Sequence, residues 1–176
     1  MAPQSGSDTF ETVVLPHLDA AYNLARWLMR GRDDAQDVVQ ESMLRALTYF
    51  PSFRGDNARG WLLRIVRNAA YASMSLNRGI VAVPLETPAG EELALSDPGD
   101  NPEAALAKMQ DRRKLSQILA SLPVELREVL LLREMEELSY KEIARITDAP
   151  IGTVMSRLWR ARRLLADAIS SGEQAA

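Results

Sequence analysis

Asp33, Asp34, Asp37 and Glu41 crowd the stretch RDDAQDVVQE, and clustered carboxylates are the groups that hold metal ions or share a proton in general acid–base work. On a helix, Asp34, Asp37 and Glu41 follow at i, i+3 and i+7 and form one stripe, with Gln40 and Arg45 beside it. A stripe of this kind serves as a solvated face, as a docking face for a basic protein, or as a metal or catalytic site. The third reading lacks supporting groups. His17 is the only histidine, cysteine is absent, no Glu-x-x-His pair exists, and there is no glycine-rich phosphate loop. His17, next to a proline in a helical region, reads as an ordinary surface or boundary histidine. No metal site and no cofactor is expected.

A second chemistry lies in IGTVMSRLWRARRLL, residues 151–165, which carries four arginines and a tryptophan and no acidic residue. At about 100° per residue, Ile151, Val154, Leu158, Ala161 and Leu165 make one apolar stripe suited to burial. Thr153, Ser156, Arg160 and Arg163 project away from it, with Trp159 and Met155 on one flank and Arg157 toward the other. Hydroxyls, guanidinium groups and a large ring are the types that bind base edges and phosphates. An arginine-bearing helix face is also how an ordinary soluble helix stays solvated, so its neighbours decide. The segment LSYKEIARI precedes it, where Ser139 and Glu142 make a capping box and Ile143, Ala144 and Ile146 face inward, and the turn TDAP joins the two. Two short helices across a tight turn, the second one basic, have the organisation of a helix-turn-helix, whose second member enters the major groove.

The 176 residues suffice for one ordinary domain or two small ones, and 47% apolar with 26% charged residues is a globular composition. Absence of cysteine excludes disulfides and thiolate chemistry and suits a reducing cytoplasm. The first residues, MAPQSGSDTFETVV, have neither a basic region nor a long apolar run, and no segment approaches a membrane span, so a cytoplasmic protein without membrane insertion is expected. The net charge of −3 conceals segregation. Residues 54–78 hold five arginines against one aspartate, whereas Gly79 to Ala107 hold six acidic residues and neither lysine nor arginine. Local potential, more than the sum, governs polyanion binding.

These residues need elements to position them. The spacing predicts one or two helices over residues 8–30 with a break near Pro16, then a helix starting near Asp33 with DDAQ as a capping box. Val38, Val39, Met43, Ala46, Leu47 and Phe50 would be that helix's buried face. After the loop PSFRGD, a third helix from about Asn57 to Ser75 would bury Trp61, Leu62, Ile65, Val66 and Ala69, leaving Arg64, Arg67, Asn68 and Tyr71 on or near its polar side. Trp61 falls on the apolar stripe and reads as core. A helix from about Pro102 to Ser121 leads into LPVELREVLLLREME, with Pro123 at a first helical turn. The fold expected is therefore all-α: two small helical domains, residues 1–78 and 102–176, joined by a flexible acidic linker over 79–101 that is rich in proline and glycine. The short VAVPL run is too isolated to make a sheet.

In order along the chain, DDAQDVVQESMLRAL, FRGDNARGWLLRIVRNAAY and LPVELREVLLLREMEELSYKEIARITDAPIGTVMSRLWRARRLL resemble the core-polymerase-binding helix, the promoter −10 segment and the −35-binding domain of the extracytoplasmic-function (ECF) group of bacterial sigma-70-family sigma factors. The resemblance covers most of residues 8–168, as a region 2-like and a region 4-like helix-turn-helix domain. It implies a non-enzymatic initiation factor whose partners are core RNA polymerase, promoter DNA and an anti-sigma factor. Asp34, Asp37, Gln40 and Glu41 would lie on the polymerase-docking helix. Phe53, Arg54, Gly55, Asp56 and Asn57 would form the loop that captures a base flipped from the −10 non-template strand, with Asn68 nearby and Arg64 and Arg67 on backbone phosphates. Met155, Ser156, Trp159 and Arg160 occupy positions that meet the −35 element, and Thr153 and Arg163 share their exposed side. Met155 replaces the arginine some members carry, so its contact would be apolar. Arg157 and Arg162, nearer the core stripe, are candidates for structural ion pairs. Two other classes fit parts of the pattern: a stand-alone helix-turn-helix regulator that binds DNA without polymerase, and a helical adaptor or metal–carboxylate enzyme.

Overall fold

The computed structural model describes residues 9–29, 31–77 and 101–174. The expected linker, Asn101 aside, and the VAVPL run lie outside the described residues. All regular structure among the described residues is helical.

The N-terminal unit begins with α1 (Phe10–Val13), held by a capping box in which the Thr9 hydroxyl accepts from the Thr12 amide and Thr12 Oγ1 accepts from the Thr9 amide. Pro16 then interrupts the helix as expected: a single 3₁₀ turn over Leu15–His17 links α1 to α2 (Leu18–Leu28). Helix α3 runs over Arg32–Tyr49. Its N-cap is Gly31 with no side-chain bond, so the capping box expected at DDAQ does not form. Asp33 and Asp34 lie instead inside the first turn, where negative charge meets the positive end of the helix dipole. The buried side of α3 is Ala35, Val38, Val39, Ser42 and Ala46, and Ser42 Oγ satisfies itself on the Val38 carbonyl at 2.6 Å. Met43 and Phe50 are partly buried. Leu47 departs from the expectation: it is 54% exposed, because it lies on the turn of the helix away from α2 and α4. Helix α4 (Ala58–Leu76) buries Leu62, Leu63, Val66, Ala69 and Ala70 against α2 and α3, while Trp61 and Ile65 are half-buried at the core's edge.

In the C-terminal unit, Asn101 caps α5 (Pro102–Ser121) through the Glu103 amide at 2.7 Å, with Pro102 in the first turn. Only Ser116 of α5 is buried. Pro123 is the N-cap of α6 (Val124–Glu134), one position before the helical turn predicted for it. Every residue from Leu126 to Leu132 is buried, so this helix is enclosed on all sides. Helix α7 (Tyr140–Thr147) opens on the Ser139–Glu142 capping box read from the sequence and ends at Asp148, whose φ of 51° and ψ of 46° turn the chain left-handed into α8 (Ile151–Gln174). Val154, Leu158 and Ala161 of α8 are buried and Leu165 partly so, but Ile151 is 40% exposed at the helix's free first turn.

The two units are not separate globules. One hydrophobic cluster takes in Ala21, Leu24, Leu62 and Val66 from the first unit and Val129, Leu132, Leu138, Ile143 and Val154 from the second. Across the divide α6 lies on α2 and α7 on α4. A smaller cluster of Leu122, Leu126, Leu130 and Ala161 ties α6 to α8 within the second unit.

Candidate nucleic-acid interface

The loop between α3 and α4 is built on a row of aromatic rings. Phe10 meets Phe50 edge-on at 5.6 Å between centroids, Phe50 stacks near-parallel on Phe53 at 6.3 Å, and Phe53 tilts against Trp61 at 4.8 Å. The Phe53 ring is thereby committed to holding the loop, and the half-buried Trp61 is its support. The Arg54 guanidinium folds back and donates to the carbonyls of Pro51 at 2.7 Å and Phe53 at 2.8 Å, leaving Gly55 and Asp56 exposed at the tip. Asn57 ends the loop as the N-cap of α4, its Oδ1 accepting from the Gly60 amide at 2.8 Å. Position 60 has no room for more than glycine's hydrogen: a Cβ there would stand 2.8 Å from Asn57 Nδ2.

From this loop α4 projects Arg64 and Asn68, both exposed, and Arg67, half-buried. Arg64 lies in a cleft of about 720 Å³ shared with Lys141, Arg145, Asp148 and the start of α8, a basic hollow between the two units. Arg67 lies over the Tyr71 ring, 3.9 Å from guanidinium carbon to centroid. Its Nε and terminal nitrogen donate to the two carboxylate oxygens of Glu128 at 3.2 and 3.4 Å. Glu128 is fully buried, and burial pushes its carboxyl above the ordinary value, with Arg67 opposing that shift by hydrogen bond and charge. The Tyr71 hydroxyl is driven up as well, first by burial and then by the neighbouring Glu128 charge.

Two more polar contacts cross between the units beside this pair. Arg59 donates to both the carboxylate and the backbone carbonyl of Glu136, the latter at 2.6 Å. Asn57 Nδ2 donates to Glu142 Oε1 at 3.0 Å. Glu142 is itself pulled below the ordinary carboxylate value, chiefly by the Ser139 amide and hydroxyl it caps. His17 is half-buried, a boundary position, and is pushed below its usual value by burial and then by the positive Arg59.

On α8 the six sequence-predicted residues share one accessible side. Met155 is 52% and Trp159 60% exposed; Ser156, Arg160 and Arg163 are exposed, and Thr153 partly so. Ser156 Oγ bonds back to the carbonyls of Gly152 and Thr153, both at 3.1 Å, and Arg163 leans over the Trp159 ring at 5.3 Å. The scaffold beneath is braced by Arg162 on Glu134 at 2.8 Å, the structural pairing anticipated for Arg162, and by Arg133 on the Leu138 carbonyl at 2.8 Å. The helix is thus tied to α6 from behind while its front stays open.

The carboxylate stripe of α3 is exposed at Asp34, Asp37, Gln40 and Glu41, with Glu41 paired to Arg45. The same arc of about 140° carries Leu44, 67% exposed, and Leu47. The charged patch thus grades into exposed apolar surface. Among the described residues no group of three acidic or histidine side chains is arranged to hold a metal ion. Nor, among the described residues, is any helix long and apolar enough to cross a membrane.

Sequence reasoning missed Leu44, Arg59 and the carboxylates of Glu128 and Glu136. Glu128 had a signal, since it lies in LREVLLL, a run with no polar stripe, and a charge there must be buried against a partner. Arg59 and Glu136 had none, because their contact spans 77 positions of chain.

Residues 13–78 match the family description Sigma-70 region 2, and residues 112–165 match Sigma-70, region 4. An ECF RNA polymerase sigma-E factor of Haemophilus influenzae is 37% identical over 148 residues, covering 79% of this chain and 76% of its own. An RNA polymerase sigma-H factor of Pseudomonas aeruginosa is 34% identical over 168 residues, covering 91% and 86%. Among solved structures, the sigma factor RpoE in complex with the anti-sigma factor NepR from Bartonella quintana superposes with a TM-score of 0.71 at 26% identity, over 92% of this chain and 96% of the other.

Proposed function

Since the chain belongs to the ECF group of the sigma-70 family, we propose that it binds core RNA polymerase and directs initiation by dividing promoter recognition between its two units. In this reading α3 docks on polymerase through Asp34, Asp37, Gln40 and Glu41, with Leu44 and Leu47 supplying apolar contact. The loop Phe53–Arg54–Gly55–Asp56–Asn57, residues 53–57, receives a base from the melted −10 strand. Flipping costs a few kcal/mol of unstacking, so a preformed receptor favours the melted state. Arg64, Arg67 and Asn68 track that strand's backbone. Thr153, Met155, Ser156, Trp159, Arg160 and Arg163 meet the −35 element. The chain contributes selection and strand separation, with polymerase supplying the catalysis, and it works in the cytoplasm under the control of an anti-sigma factor, as the partner of the Bartonella relative suggests.

The observation that carries the reading is the simultaneous presence of a loop backed by aromatic rings and an accessible basic helix, in the order of the two sigma regions that the chain matches. Run-off transcription with purified core enzyme tests it. Promoter-specific transcripts are expected only when this chain is added; tight duplex binding by the free chain without association with core would establish a stand-alone regulator instead.

A further inference from the structure

We infer that Met155 is an oxidation-sensitive site in the −35 face: a peroxide converts its thioether to the sulfoxide, promoter recognition weakens, and reduction restores it. The inference rests on the assignment of the exposed side of α8 to the −35 element.

The chain has seven methionines and no cysteine, so a two-electron oxidant finds thioethers and no thiol to attack. Access divides the methionines. Met29 is 3% exposed, and Met43 and Met74 are half-buried, whereas Met109, Met135 and Met155 stand open to solvent at 49%, 52% and 52%. Met109 lies on α5 and Met135 is the C-cap of α6, and neither has a part in the contacts assigned to polymerase or promoter. Met155 alone of the three lies among the −35 residues, in a groove of about 550 Å³ that it lines with Tyr140, Leu158, Trp159, Arg162 and Arg163. It belongs to neither hydrophobic cluster, so a change at its sulfur leaves the packing of α8 intact.

The step balances with hydrogen peroxide as co-reactant. The sulfur lone pair attacks one peroxide oxygen, the O–O bond breaks as the S–O bond forms, and the other oxygen leaves with both protons as water. Sulfur is oxidised by two electrons and the peroxide reduced by two. A flexible apolar side chain suited to lie against a base edge becomes a strongly dipolar one that carries an acceptor and no donor. Burying that oxygen against the duplex without a donor costs free energy that the thioether never incurs. Arg163, which lines the same groove, is a donor for it, and a guanidinium turned to the sulfoxide is lost to the −35 element. Both effects have the same sign, so the oxidised chain holds its promoter more weakly.

For the test, the full-length chain is treated with hydrogen peroxide, freed of oxidant and only then assembled with core polymerase, so that polymerase itself stays untouched. Peptide mass spectrometry reads the oxygen gained at each methionine, and run-off over a range of promoter concentrations reads affinity. Sulfoxide is expected at Met109, Met135 and Met155 while the buried Met29 stays reduced. The promoter concentration for half-maximal run-off should rise about tenfold, and methionine sulfoxide reductases for the two epimers should reverse the change. The double variant Met109→Leu/Met135→Leu should respond as the parent does. Met155→Leu, whatever its own starting affinity, should no longer respond, and Met155→Gln, a polar stand-in for the sulfoxide, should resemble the oxidised parent. A Met155 left reduced where Met109 and Met135 are oxidised, a parent unmoved by peroxide, or a Met155→Leu chain that loses as much as the parent overturns the inference, while normal run-off leaves the initiation reading standing; absence of core-dependent run-off in the untreated parent removes that reading instead.

Discussion

Glu128 and Glu142 lie on successive helices, yet the fold shifts their acidities in opposite directions. Burial raises Glu128, so its contribution to stability is full below the ordinary 4.5 and is lost as pH rises through the raised folded value. Capping lowers Glu142, so its contribution is full above 4.5 and is lost as pH falls through the lowered folded value. Urea midpoints followed through this range should show that Glu128→Gln removes a loss of stability on the alkaline side of 4.5, and Glu142→Gln part of the loss on the acid side; parental curves in both would reject these assignments. On α8, Arg160→Ala is expected to weaken −35-dependent transcription by roughly 1–3 kcal/mol, the worth of a good two-pronged base contact. Unaltered sensitivity to −35 substitutions would exclude Arg160 from readout. At this scale the sequence was informative wherever a side chain serves its own helix: the Ser139–Glu142 box and the outward register of Ser156 and Arg160 are local facts. It was silent on Arg59, whose partner is distant in the chain.

The elements were legible to the extent that periodicity sets them. Helix α8 has the buried stripe its spacing demands, and α5 runs over the residues expected. Leu47 and Ile151 broke the pattern because a helix can outrun the surface it packs on, and periodicity alone cannot say where that surface stops. Between α7 and α8, Asp148 sets the crossing through a left-handed residue that β-branched side chains rarely adopt. Asp148→Val should therefore cost about 1–2 kcal/mol in thermal unfolding, while Asp148→Gly is tolerated; equal losses would mean that the turn is not conformationally restricted. On α3, charge reversal at Asp37 and Glu41 should abolish pull-down by core polymerase and leave binding to −35 duplex intact. Normal pull-down would move the docking face elsewhere.

For the molecule as a whole, two helical units were readable from composition, but their closure was not, since Val129, Leu132 and Ile143 would be buried within a free C-terminal unit just as plausibly as in a common cluster with Leu24 and Leu62. A common cluster makes unfolding a single event. Fluorescence probes in the two units should melt together, and two separated transitions would contradict the shared interior. That shared interior also bears on the protein's lifetime. A chain pulled open without polymerase to receive it uncovers apolar surface on α2 and α6 that water tolerates poorly, and this is the form that proteases and aggregation claim. Turnover in the cell would then fall on whichever copies open without polymerase to receive them, while closed copies are spared.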